Sequence, residues 1–222
     1  MTTLQNLPQV VTAIGGLGTA AFGLVDASKV LWGGVNNIGF GPIKKAVTSL
    51  TPGVPANALS GLKILATLQS NWFNGTDLAS QKAIAKSLIK LNLSTENAAE
   101  LANLTGVNAA VLGQVAAAMV NRTSLDATQS DVNARFDLIV TAMLDGAYQR
   151  ADNLYRNWTR AIAAAVAVAL AVLGGMSLNP PFSLEQSVIV GLLATPLAPI
   201  AKDLSSALAA AVDTMQIVNK KK

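Results

Sequence analysis

The side chains that carry most enzyme chemistry are missing from this sequence or stand alone in it. It contains no cysteine and no histidine, which excludes zinc sites built from those ligands and nucleophilic catalysis that depends on either residue. The carboxylates stand in no context that suggests general acid–base work. Disulfide bonds are excluded too, so the sequence does not indicate a redox compartment. We therefore expect a protein that is not an enzyme and that needs no cofactor or metal.

Two other chemical motifs are weak. The glycines of residues 15–18 lie in an uncharged apolar stretch, not between a strand and a helix, and no P-loop pattern is present. Residues 98–115 have the small residues and the turn glycine of a helix-turn-helix, but residues 108–120 carry no positive charge to meet phosphates. We expect a plain helical hairpin there, no nucleic-acid partner and no small-molecule substrate.

Charged residues suggest two binding features. Lys82, Lys86 and Lys90 recur at a spacing of four and so share one face of a predicted helix. That face could attract anionic lipid or an acidic partner, or it could simply face solvent. Asp26 and Lys29 follow the first apolar stretch, where an ion pair at the end of a helix is a simpler interpretation than a polar site inside a membrane.

The composition favours a membrane protein. The chain is 51% hydrophobic with a mean hydropathy of +0.44, and only 13% of its residues are charged, against about 25% in a typical soluble domain. Residues 1–25, 161–184 and 186–201 contain no charged side chain, and alanine and glycine dominate them. We therefore expect an all-α integral membrane protein with an N-terminal apolar helix, a small polar helical domain and a C-terminal transmembrane hairpin.

Three regions follow from this pattern. Residues 1–43 form an N-terminal apolar membrane segment, residues 44–130 a small cytoplasmic helical domain, and residues 131–222 a long amphipathic helix, the hairpin and a basic tail. Residues 30–43 could lie at the interface, form a re-entrant turn or add a fourth crossing. Within the polar domain the hydrophobic period predicts four helices, at about residues 62–73, 80–91, 95–104 and 108–120, with Asn108 as the candidate N-cap of the last.

A secretory signal has a lysine or arginine before its apolar core, and no such residue precedes the first apolar segment. We therefore expect this segment to be retained. Gly15, Thr19, Gly23 and Ala27 recur at a spacing of four and place small residues on one helical stripe. Membrane helices approach each other closely through such stripes. We therefore predict that these four residues pack against another helix.

A long helix is predicted from Asp131 into the apolar stretch, ending at the turn of residues 179–183. Tyr148, Tyr155 and Trp158 lie among arginines just before that stretch and resemble the aromatic belt of a membrane interface.

The hairpin register makes a further prediction. If the turn centres between Pro181 and Phe182, Arg160 faces Asp203 and Arg150 faces Asp213, which would give two ion pairs between the arms.

Length and charge set the predicted topology. As a helix, residues 161–178 would span about 27 Å, against a hydrocarbon core of about 30 Å, so the crossings are marginal alone. Most lysines and arginines lie in residues 44–160 and in the tail. The positive-inside rule then places the N-terminus outside, residues 44–160 and the C-terminus in the cytoplasm, and the double-proline turn outside.

Three roles remain open for such a chain. The first is an oligomeric, membrane-anchored structural or adaptor subunit, with the lipid bilayer, its own copies and proteins bound through residues 44–160 as partners. The second is a holin-like channel, which needs a polar stripe along a membrane helix. The third is a pore-forming protein that is soluble first and inserts later.

Overall fold

The computed structural model describes residues 7–53 and 60–200, of which 84% are helical, with no strand among them. The all-α prediction is therefore confirmed for the described part of the chain. The helices are α1 Leu7–Trp32, α2 Gly34–Leu50, α3 Gly61–Phe73, α4 Leu78–Leu91, α5 Ala98–Thr105, α6 Ala109–Asn121, α7 Ala127–Met176 and α8 Leu184–Ile200.

Local hydrogen bonds explain where the shorter helices begin. The side chain of Asp77 accepts a bond from the Ser80 amide at 2.8 Å, and that of Asn108 accepts one from the Val111 amide at 3.1 Å. Each satisfies one of the amides that the first turn of a helix leaves without a partner. The cap predicted at Asn108 is thus confirmed.

A reciprocal cap sets the start of α7. The Gln129 amide donates to the Asp126 carboxylate at 2.8 Å, and the Asp126 amide donates back to the Gln129 side chain at 3.2 Å. This is a capping box, and it starts the helix at Ala127, before the predicted Asp131.

Glycine separates α1 from α2. Gly33 and Gly34 have φ angles of 76° and 45°, in the left-handed region that other residues avoid. A Cβ atom at Gly34 would also lie 2.8 Å from the Ser28 hydroxyl. The two helices therefore cannot run on as one.

The chain divides into two compact units. One, here the apolar unit, comprises Met1–Val35 and Arg156–Lys222; the other, here the polar unit, is Asn36–Tyr155. These boundaries differ from the predicted divisions at residues 43 and 130. The reason is the polar unit's core, which takes in buried side chains from both α2 and the first half of α7.

The core of the polar unit draws on all its helices. Its fully buried large side chains sit at helical spacing on α2 and α7 and are joined by residues of α3 to α6. They include Ile43, Val47, Leu50, Ile64, Leu68, Ile89, Leu101, Leu112, Phe136, Val140 and Leu144.

A crossing by residues 30–43 does not fit this arrangement. Phe40 and Ile43 belong to that core and are 5% and 0% exposed, and the break at Gly33 ends α1 just before them. Side chains enclosed by protein cannot face lipid, so this part of α2 belongs to the polar unit.

The predicted turn of residues 179–183 separates α7 from α8. Helix α7 ends at Met176 and α8 begins at Leu184, with a cis peptide bond between Asn179 and Pro180. The Gln186 amide donates to the Ser183 hydroxyl at 3.2 Å, and the Ser183 amide donates to the Gln186 side chain at 3.0 Å. A second capping box thus fixes the start of α8.

Candidate functional site

The contact between α1 and α8 in the apolar unit depends on a glycine. A Cβ atom at Gly18 would overlap the carbonyl oxygen of Ala194 and come within 3.1 Å of the Ala198 side chain. The backbones therefore touch at a distance that only glycine allows, as in close-packed membrane helices.

The contact between α7 and α8 uses glycines in the same way. A Cβ atom at Gly191 would overlap the backbone of Val168, and one at Gly175 would lie 2.6 Å from the Ser187 hydroxyl. The arms of the hairpin thus pack backbone to backbone.

Alanine forms the centre of the apolar unit. Ala21, Ala167 and Ala194 are all 0% exposed, with Leu17 and Val166 packed beside them. A buried methyl group contributes only about 0.8 kcal/mol of hydrophobic stabilisation. This core is tight but buries little apolar area.

The large apolar side chains of this unit point outward instead. Two described helices, α1 and α7, are long and apolar enough to cross a membrane, and only 22% of the residues in each apolar stretch are buried. A core helix of a soluble protein would be mostly buried. The exposed large side chains include Leu24, Leu173, Met176, Leu178, Ile189, Leu192, Leu193 and Ile200.

The predicted stripe on α1 is not the one that makes the internal contact. Gly15 is buried, but Thr19, Gly23 and Ala27 are exposed, and a Cβ atom at Gly23 would meet nothing within 4 Å. Gly18 and Ala21 lie between the predicted positions and contact the hairpin. Small residues lie on almost every side of α1, so the sequence alone could not identify the side that packs.

The predicted aromatic belt requires one correction. Tyr148 is 1% exposed and belongs to the core of the polar unit, where burial raises its pKa to about 12. A side chain enclosed by protein does not anchor at a lipid interface. Tyr155 packs edge-on against Trp72 with ring centroids 6.2 Å apart, and Trp158 is exposed.

Of each predicted hairpin ion pair, only the arginine lies among the described residues. Arg150 and Arg160 are exposed, whereas Asp203 and Asp213 lie outside the described residues. Asp26 and Lys29 form the ion pair expected at the end of α1.

The lysine face of α4 is not a free binding surface. Lys82 contacts Asp145 of α7 at 2.6 Å, and Lys86 and Lys90 each contact Asp137 at 2.9 Å. Of the two interpretations left open, neither an anionic partner nor plain solvent describes this face, because α7 supplies its counter-charges.

Asp137 is the centre of that network. The hydrogen bond from Lys90, with a further one from Lys86, lowers the pKa of Asp137 below its usual value of 3.8, against the opposing effect of burial. The α4–α7 register is thereby fixed by charge as well as by packing.

In residues 7–53 and 60–200, no three histidine, cysteine, aspartate or glutamate side chains cluster as metal ligands. What the structure does present is a close-packed helical unit with an apolar exterior. Comparison with protein-family models, curated proteins and solved structures gives no match for this chain.

Proposed function

We propose that this chain is an oligomeric, membrane-anchored structural or adaptor subunit. Its apolar unit would lie in the bilayer, and its polar unit would present a binding surface in the cytoplasm. The observation that carries this proposal is the low burial of the apolar stretches of α1 and α7, 22% in each, because such helices need a surrounding apolar medium.

The packing of the apolar unit supports the same conclusion. In water, the small buried side chains of this unit, most of them alanines, would contribute little toward the entropy of ordering three helices. In lipid, close contacts such as Gly18 on Ala194 and Gly191 on Val168 suit association driven by dispersion. The participation of Gly18 and Ala21 in these contacts also supports retention of α1.

Self-association is proposed through the outer face of α1. Gly16 and Gly23 have open space where a side chain would be, and Ala20 and Ala27 are exposed beside them. These residues leave a smooth surface that suits a helix of a second copy.

The hydroxyl groups support an anchor rather than a channel. The Thr19 hydroxyl donates to the Gly15 carbonyl of its own helix at 3.0 Å, and Ser187 is 1% exposed inside the hairpin. Thr19 is exposed but its hydroxyl is bonded within its own helix, and Ser187 is buried, so these two residues do not form the exposed polar stripe that a water-filled path needs.

Membrane insertion is tested by one substitution at two sites on the same helix. Leu173 is 66% exposed in the apolar unit and Leu138 is 68% exposed in the polar unit. Arginine at the centre of a membrane helix costs about 2.5–3.5 kcal/mol. Leu173→Arg should therefore reduce the fraction that resists alkaline carbonate extraction, whereas Leu138→Arg should leave it unchanged. Release of the unsubstituted protein into the soluble fraction would refute the proposal.

Oligomerisation is tested separately in detergent. Gly23→Ile adds a bulky side chain to the proposed contact face and should shift the sedimentation profile toward monomer. Gly174→Ile, at another position with open space around it, serves as the control. A monomeric unsubstituted protein would contradict the oligomeric part of the proposal.

A further inference from the structure

An open groove of about 710 Å³ lies between α2 and the first half of α7, within the polar unit. Pro42 and Ala46 of α2 and Met143 and Leu154 of α7 give it an apolar lining. This volume is in the range of sites that hold a small organic ligand, about 300–1,000 Å³.

Cations and a hydroxyl group complete the lining. Lys45 and Ser49 project from α2, one helical turn apart, and Arg150 projects from α7; none of the lining residues is acidic. Arg150 folds back over Gly146, where a Cβ atom would lie 3.8 Å from the guanidinium nitrogens. Because Gly146 has no side chain, the guanidinium group of Arg150 has room to lie along the helix.

These two cations differ from the lysines of α4. Each of those lysines contacts an aspartate of α7, whereas Lys45 and Arg150 make no ion pair with an acidic side chain of residues 7–53 or 60–200. Among the described residues, no acidic side chain therefore competes with a ligand for these two cations; Asp213, the predicted partner of Arg150, lies outside that part of the chain.

We propose that this groove binds an anionic phospholipid, with its phosphate held by Lys45 and Arg150 and an acyl chain on the apolar lining. The inference rests on the proposed function, which places the chain among such lipids. Charge favours the headgroup, because each lysine or arginine near an anionic headgroup contributes about 1 kcal/mol and guanidinium pairs well with phosphate. The apolar lining favours a lipid over free phosphate.

The first test measures lipid binding to the full chain in detergent by native mass spectrometry. Phosphatidylglycerol and phosphatidylcholine with the same acyl chains are compared. The unsubstituted protein should prefer phosphatidylglycerol, and the double variant Lys45→Gln with Arg150→Gln should lose about thirtyfold in affinity for it. Lys44→Gln, the same change on the neighbouring residue outside the groove, should change the affinity less than twofold. Equal losses in both variants would overturn the assignment.

The second test separates a lipid from its headgroup alone. Gly41 lies at the groove, and a Cβ atom there would meet nothing within 4 Å, so Gly41→Leu fills the groove without disturbing the fold. It should weaken phosphatidylglycerol binding while both cations remain. Inorganic phosphate should compete poorly; binding of phosphate as tight as that of the lipid would refute the acyl-chain contact. Preferential binding of an acidic amphipathic peptide instead would equally overturn the proposal.

Failure of this inference and failure of the proposed function give different results. A protein that resists carbonate extraction but shows no headgroup preference loses only the lipid site. A protein released by carbonate loses the membrane role, and its groove can still be titrated in water with short-chain phosphatidylglycerol.

Discussion

Asp137 forms ion pairs with two lysines of α4, and these pairs place a negative charge of α7 beside the positive face of α4. Its side chain is 26% exposed, and those of Lys86 and Lys90 are 34% and 29% exposed. Partial exposure screens each pair, so the network is worth less than a buried one. The consequence is that two aspartates of α7 offset most of the charge of the three α4 lysines, whereas no described acidic side chain pairs with Lys45 or Arg150.

The first prediction concerns the stability of this network. Asp137→Asn should lower the free energy of unfolding by about 1 kcal/mol at neutral pH, because both lysines lose their charged partner. Thermal unfolding of the full chain in detergent, followed by circular dichroism, measures it. Asp145→Asn, which removes the partner of Lys82 alone at a more exposed site, should cost less. An equal or larger loss there would contradict the central role of Asp137.

The contribution of Asp137 to stability should also depend on pH. The folded-state pKa of Asp137 is lowered from 3.8, so its contribution is fully present above that value and is lost as pH falls through the folded pKa. The stability difference between the unsubstituted protein and Asp137→Asn should therefore persist at neutral pH and shrink below about pH 4. A difference that stays constant into acid would assign the effect to packing.

Tyr148 supplies a prediction at alkaline pH. The chain contains two tyrosines, so in Tyr155→Phe the ultraviolet absorbance of phenolate reports on Tyr148 alone. Its midpoint should lie at about 12, because burial disfavours the charged form. Burial of the neutral phenol therefore stabilises the folded protein fully below about pH 10, and this stabilisation decreases as the pH rises toward 12. A midpoint near 10 in the folded protein would show that Tyr148 is solvated.

At the scale of elements, the close contacts of the apolar unit make a prediction with a matched control. Gly18→Leu should separate α1 from α8, because its side chain would occupy the position of the Ala194 carbonyl. Gly174→Leu, on α7 of the same unit and away from the proposed self-association face, has open space around it. Thermal unfolding in detergent should show a large loss of stability for the first variant and little change for the second. Similar losses in both would indicate that α1 does not pack as described.

The helices could be predicted from the sequence where the signal is local. The helical period and the Asn108 cap located the helices of the polar unit to within a few residues, because both act over one or two turns. The capping boxes at Asp126 and Ser183 were readable in the same way and were missed.

Contacts between elements were harder to predict because they depend on distant residues. The spacing of Lys82, Lys86 and Lys90 showed a shared face, but nothing local identified Asp137 and Asp145 as its partners. On α1 almost every face is small, so the pattern did not distinguish Gly18 and Ala21 from the predicted stripe.

At the scale of the whole molecule, the charged residues are distributed unevenly between the two units. The described helices of the apolar unit contain long uncharged stretches, whereas the polar unit holds most of the lysines and arginines. This distribution is the basis for the proposed topology, with the polar unit in the cytoplasm and the turn between α7 and α8 outside.

The proposed topology can be tested by labelling single introduced cysteines, because the sequence contains no native cysteine. Single cysteines are introduced at two exposed positions, Glu185→Cys beside the turn and Lys63→Cys in the polar unit. A membrane-impermeant maleimide applied to intact cells should label the first variant and not the second, and after lysis it should label both. Because a helix buried in lipid separates the two sites only if it crosses the bilayer, labelling of both variants from outside would exclude the proposed crossing by α7. Labelling of Lys63→Cys alone would invert the topology and leave the anchor intact.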